Sequence, residues 1–79
     1  MREIALNFMG PVRRPAGMGS AARLAVEADA TVESLLAGLG YEAGERARLR
    51  VLTQGRPLGL REPLGEAEEF TIFLPLGGG

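Results

Sequence analysis

Apolar and polar residues alternate with a period of two from Glu3 to Phe8. Ile4, Leu6 and Phe8 share one face, and Glu3, Ala5 and Asn7 share the other. That spacing predicts a half-buried strand. Met9 to Ser20 holds Gly10, Pro11, Pro15, Gly17 and Gly19, a density of breakers that predicts a loop, expected to be mobile at its Arg13-Arg14 tip. Alternation resumes from Ala21 to Glu27, with Leu24 and Val26 on one side. A second strand, paired with the first as a hairpin, is predicted there.

The period then changes. Val32, Leu35, Leu36 and Leu39 recur at helical spacing and form one apolar stripe. Thr31 is placed to accept a bond from a free backbone N–H near Ser34, and Glu33 suits the positive end of the helix dipole. Gly40 predicts a left-handed stop. The helix is short and Gly38 weakens it, so packing of its leucine face on a sheet must hold it.

Tyr41 to Arg48 shows no period and is read as irregular. Leu49, Val51 and Thr53 alternate with Arg48, Arg50 and Leu52, predicting a third strand. Gln54-Gly55-Arg56-Pro57 reads as a turn. Leu58 and Leu60 predict a short edge strand ended by Pro63. After a second turn from Leu64 to Glu68, Phe70, Ile72 and Leu74 alternate with Thr71, Phe73 and Pro75 in a last strand. The order is β-β-α-β-(β)-β. It predicts an α+β fold of two layers, one short helix on one face of a small mixed sheet. If the first and last strands are neighbours in the middle, they pair parallel, because the chain crosses over between them.

Composition narrows the chemistry. With 79 residues the chain is one domain, and its hydrophobic share of 46% suits a globular core. A net charge of −1 does not favour a nucleic-acid surface. The chain has no Cys and no His. That removes the thiol nucleophile, the commonest acid–base group near neutral pH and the usual zinc or haem ligands. All nine basic residues are Arg, so no lysine exists for Schiff-base or P-loop chemistry. No apolar run is long enough to span a membrane, and the chain is expected to be cytoplasmic. A self-sufficient enzyme is the weakest reading. Glu66, Glu68 and Glu69 form an acidic group read as a solvated turn, with metal binding only weakly indicated.

The sequence closes on Leu76-Gly77-Gly78-Gly79, directly after the last predicted strand. Three residues without Cβ pack nothing and bend freely. One reading is a frayed chain end. The other is a working tail, reaching about 13 Å when extended, that threads a partner's narrow site with backbone alone. Its reacting group is then the α-carboxylate of Gly79, which needs no reactive side chain.

The combination resembles the ubiquitin-like sulfur carriers of the MoaD/ThiS family, which have the β-grasp fold. It is most similar to the branch that serves as the small subunit of molybdopterin synthase. The residues that carry the resemblance are Leu49-Arg50-Val51-Leu52-Thr53-Gln54-Gly55-Arg56-Pro57-Leu58, the Pro63-Leu64 turn, and Glu69-Phe70-Thr71-Ile72-Phe73-Leu74-Pro75-Leu76-Gly77-Gly78-Gly79. Ala30-Thr31-Val32-Glu33-Ser34-Leu35-Leu36 resembles the family's helix start. Two features depart from the pattern. Gly65-Glu66-Ala67-Glu68 replaces a common Asp-Gly turn, and Gly77 makes the tail a triple glycine.

The resemblance implies a β-grasp domain over residues 1–76 and a flexible glycine tail over 77–79. It implies a carrier or non-catalytic subunit rather than an enzyme, binding no cofactor of its own. An E1-like adenylating partner (MoeB/ThiF-like) would use ATP and magnesium to activate Gly79, with Gly78 beside it. A persulfide donor would leave a thiocarboxylate for molybdopterin synthesis at the large subunit of the synthase. Phe73, Leu58, Pro75, Leu76, Gly77 and Arg13 would contact partners. The length and the long first loop favour this branch over the thiamin carriers. Two alternatives stay open: service to thiamin or another thiocarboxylate pathway, and a ubiquitin-like modifier or interaction domain that never carries sulfur.

Overall fold

The computed structural model describes residues 1–15 and 17–75. Five strands form one sheet: β1 (Arg2–Met9), β2 (Ala21–Val26), β3 (Arg50–Thr53), β4 (Arg56–Leu58) and β5 (Glu69–Phe73), in the order β2-β1-β5-β3-β4. The two central strands, β1 and β5, run parallel, and Leu6 lies opposite Phe70. All other neighbours are antiparallel. The helix α1 (Val32–Gly38) supplies the crossover that a parallel pair requires.

The period of two does what the sequence predicts. Ile4, Leu6 and Phe8 of β1, Phe70 and Ile72 of β5, and Val51 of β3 all turn to the helix face and are buried. Val32, Leu35, Leu36 and Leu39 close the core from the other layer. Removing this much apolar surface from water is the main stabilising contribution.

Both ends of α1 are capped. The Ser34 amide donates to Thr31 Oγ1 at 3.1 Å, and the Thr31 amide donates to Ser34 Oγ at 2.9 Å. At the other end Gly40 has φ of +97°, its amide donates to the Ala37 carbonyl, and the Tyr41 amide donates to the Leu36 carbonyl. These two bonds are the Schellman pattern, and the left-handed backbone is why a glycine stands there.

The edge strand differs from expectation. β4 ends at Leu58, and Leu60 lies outside it. The Leu60 and Glu62 carbonyls instead accept from the Glu33 and Val32 amides, satisfying free donors in the first turn of α1. Helix capping wins over strand extension. A second correction is a second helix, α2 (Ala43–Arg48), where the sequence reads as irregular. It buries no residue, so it lacks the apolar stripe that announces a helix. Its signals are polar: the Glu42 amide donates to Glu45 Oε1 at 3.1 Å, and Arg46 and Arg48 sit in the last turn, where cations suit the dipole.

The β3–β4 turn holds Gln54 and Gly55 at φ of 53° and 77°, while Thr53 pairs with Arg56. Two left-handed residues in a two-residue loop match the twist of the flanking strands.

Candidate functional site

Strand alternation sends Phe73 to the face of the sheet that lies away from α1. Its ladder partners there are Met9 on β1 and Arg50 on β3. Leu52, two residues along β3 from Arg50, points to the same face. Met9 is 58% exposed, and Phe73 is half-buried. With Pro11, Leu74 and Pro75 these side chains line a shallow groove of about 390 Å³. It is almost entirely apolar, and it lies at the end of the sheet where the chain leaves β5. Phe73 thus faces outward, as the alternation of Phe70, Ile72 and Leu74 with Thr71, Phe73 and Pro75 requires, and its neighbours there are Met9, Leu52 and Pro75. Leu76, Gly77, Gly78 and Gly79 lie outside the described residues.

Leu58 is not part of this surface, and its expected role in partner contact is corrected. It pairs with Val51, shares that residue's inward orientation and is 6% exposed. Register decides this: Val51 and Leu58 occupy one face of the β3–β4 hairpin, Leu52 and Pro57 the other. The outward apolar residue of β3 is Leu52. A leucine among arginines on the polar side of a strand was the available signal for it.

Arg13 is also redirected. Its guanidinium grips Glu45 through both carboxylate oxygens, with Nη2 at 2.7 Å from Oε1 and Nε at 2.9 Å from Oε2. It also lies 5.0 Å from the centroid of the Tyr41 ring, within cation–π range. The Tyr41 hydroxyl donates to the Arg13 carbonyl. The bidentate grip and the donated amide of Glu42 hold the Glu45 carboxyl down, from an ordinary 4.5 to about 2. Burial pushes the Tyr41 phenol up.

The β1–β2 loop is thus clamped to α2, and Val12 enters the core. A tip expected to be mobile is anchored at Arg13, whose guanidinium is paired with Glu45 at the surface. Leu74 shares a small cleft with Val12, Tyr41 and Leu49, so the clamp supports the residues that precede the tail.

The opposite end of β5 has a different character. Glu66, Glu68 and Glu69 are exposed. The adjoining turn is held by Arg2, whose guanidinium donates to the carbonyls of Ala67, at 2.6 Å, and Gly65. No group of three metal-ligating side chains occurs among the described residues. None of their helices is long and apolar enough to cross a membrane.

Neither a protein-family model nor a curated protein sequence matches the chain. Solved structures do. The crystal structure of SAMP1 from Haloferax volcanii aligns with a TM-score of 0.67 at 22% identity, covering 99% of this chain and 100% of that one. A second crystal structure, of H. volcanii small archaeal modifier protein 1, aligns with a TM-score of 0.66 at 21% identity, covering 94% and 98%. Those alignments over nearly whole chains, together with the mixed five-stranded sheet, show that the protein has the ubiquitin-like β-grasp fold.

Proposed function

We propose that the chain is a ubiquitin-like sulfur carrier whose working group is the α-carboxylate of Gly79. It is a cytoplasmic carrier rather than an enzyme. The observation that carries this reading is the apolar groove of Met9, Leu52 and Phe73 at the end of β5 from which the glycine tail departs. An aromatic at the centre of an apolar patch with an arginine at its rim has the composition of a docking site. Docking there would deliver Gly77, Gly78 and Gly79 to a partner's active site. The fold shared with small archaeal modifier protein 1 supports a tail-activated protein.

The chemistry follows from the poor electrophilicity of a carboxylate. In the site of an E1-like adenylating enzyme, a Gly79 oxygen attacks the α-phosphorus of magnesium-bound ATP and pyrophosphate leaves. The terminal sulfur of a partner's persulfide then attacks the acyl carbon, and AMP departs with the bonding pair. A second thiol of the donor attacks the inner sulfur, forming a disulfide and releasing the thiocarboxylate on Gly79. That sulfur anion is the nucleophile delivered to the acceptor, here the large subunit of molybdopterin synthase. Positioning and charge stabilisation belong to the partners.

The structural likeness to a modifier protein favours a second reading. The same adenylate is attacked instead by a target amine, giving an amide. Intact-mass analysis after incubation with an E1-like enzyme, magnesium-ATP and a persulfide source separates the two. Exchange of one oxygen for sulfur at Gly79 supports the carrier. Amide-linked conjugates in place of that exchange support the modifier. An unaltered mass after pyrophosphate release has been recorded argues against both.

A further inference from the structure

The edge of the sheet opposite β4 is open. β2 is an edge strand with one neighbour, β1. The Phe8 amide donates to the Ser20 carbonyl at 2.8 Å, which sets the phase of that antiparallel ladder. Bonded pairs alternate along such a ladder. Ala22, Leu24 and Val26 therefore face β1 with their backbone groups, and Ala21, Arg23 and Ala25 turn theirs to the open edge. Among the described residues no other segment bonds to those groups.

Beside this edge runs a groove of about 540 Å³ between β2 and α1, a volume in the range of binding sites. Leu24 and Val26 form one wall, Leu35 and Gly38 the other, and Ala30 closes one end. The space above Gly38 is open: a Cβ built there meets nothing within 4 Å. The charged side chains lining the groove are Glu27 and Asp29, both exposed and both carboxylates.

We propose that this edge and groove bind an extended peptide of a partner protein, with apolar residues at alternate positions and a basic residue at its end. The peptide adds as a sixth strand. Its backbone bonds to Arg23 and Ala25, its inward side chains fill the groove over Leu24 and Gly38, and its cation meets Glu27 and Asp29. Backbone addition gives affinity and the alternate side chains give specificity. The surface is independent of the Phe73 groove and does not rest on the Gly79 chemistry.

The test uses the full chain and the capped peptide Arg-Ile-Thr-Val-Thr-Ile-Arg, whose sequence reads the same in both directions and so suits either strand direction. In an NMR titration the Arg23 and Ala25 amides shift and gain protection from exchange. Replacing both arginines of the peptide by glutamates weakens binding about tenfold at low salt. Ala25→Pro removes an edge donor that the β1 ladder does not use, and an edge strand tolerates proline on that side. Gly38→Leu fills the groove while favouring the helix. Each variant keeps its melting transition and loses at least about tenfold in peptide affinity. The proposal is overturned by no shift at millimolar peptide, by equal binding of the glutamate peptide, or by full binding to Ala25→Pro or Gly38→Leu. Shifts confined to Met9, Leu52 and Phe73, or pairing of two copies of the protein at this edge, overturn it equally.

Discussion

The two faces of the sheet are built from the same strands and do opposite work. Toward α1, β1 and β5 present Ile4, Leu6, Phe8, Phe70 and Ile72, all buried. Away from it they present Glu3, Ala5, Asn7 and Thr71, with one apolar island where Met9, Leu52 and Phe73 meet at the tail end. An aromatic at position 70 holds the domain together, while an aromatic three residues later stays at the surface. Parity along the strand, not hydrophobicity, decides which aromatic is buried and which stays at the surface. An apolar residue on the polar face of a small sheet is therefore the informative one, because core packing does not account for it.

The largest test of that division is Phe70→Ala. Loss of a fully buried ring costs about 3–5 kcal/mol, a large share of the stability of so small a domain. Chemical denaturation should show the midpoint falling sharply or the fold lost. Leu58→Ala sharpens the comparison, because sequence alone groups Leu58 with Phe73. It should cost about 2–4 kcal/mol by the same measurement. At temperatures where the variant remains folded, its apparent KM in pyrophosphate exchange with the proposed E1-like partner should be unchanged. Phe73→Ala should do the reverse, raising that KM about tenfold while the denaturation midpoint moves little. If Phe73→Ala instead unfolds the chain, the division between the faces is broken.

Smaller effects come from the edges of the fold. Thr31→Ala removes the cap of α1 and should cost about 1 kcal/mol in denaturation, with no change in the Phe73-dependent KM. The Arg13–Glu45 clamp should register least, as an exposed pair. Its sign is nonetheless definite. The Glu45 carboxyl is held below its ordinary value in the folded state, so the clamp's contribution is present above about pH 4.5 and lost as pH falls toward 2. Protection factors of the β1–β2 loop amides, taken relative to intrinsic exchange at each pH, should fall through that window, and Glu45→Gln should remove that fall.

The two helices differ in how far they could be read. α1 carries its stripe, its cap at Thr31 and its stop at Gly40, and all three are in place. α2 faces no core, so its only marks are the Glu42–Glu45 hydrogen bond and the terminal arginines. For the candidate site, the outward turn of Phe73 followed from strand period alone. The burial of Leu58 did not, since a short hairpin arm has too few residues to show its phase. Nor did the grip of Glu45 on Arg13, which joins positions 32 residues apart.

By itself the chain's pattern determined β1, β2, β3 and β5, the first helix, the α+β class and the absence of His, Cys and Lys chemistry. These are local or compositional properties, readable wherever a period of two or of about 3.6 is sustained. Tertiary structure alone decided which outward residues meet. Met9, Leu52 and Phe73 become one surface, Arg13 is taken by Glu45 and Leu58 is withdrawn into the core. The physical reason is register: strands distant in sequence are aligned by packing and turn geometry, and a shift of one residue would reverse every side chain.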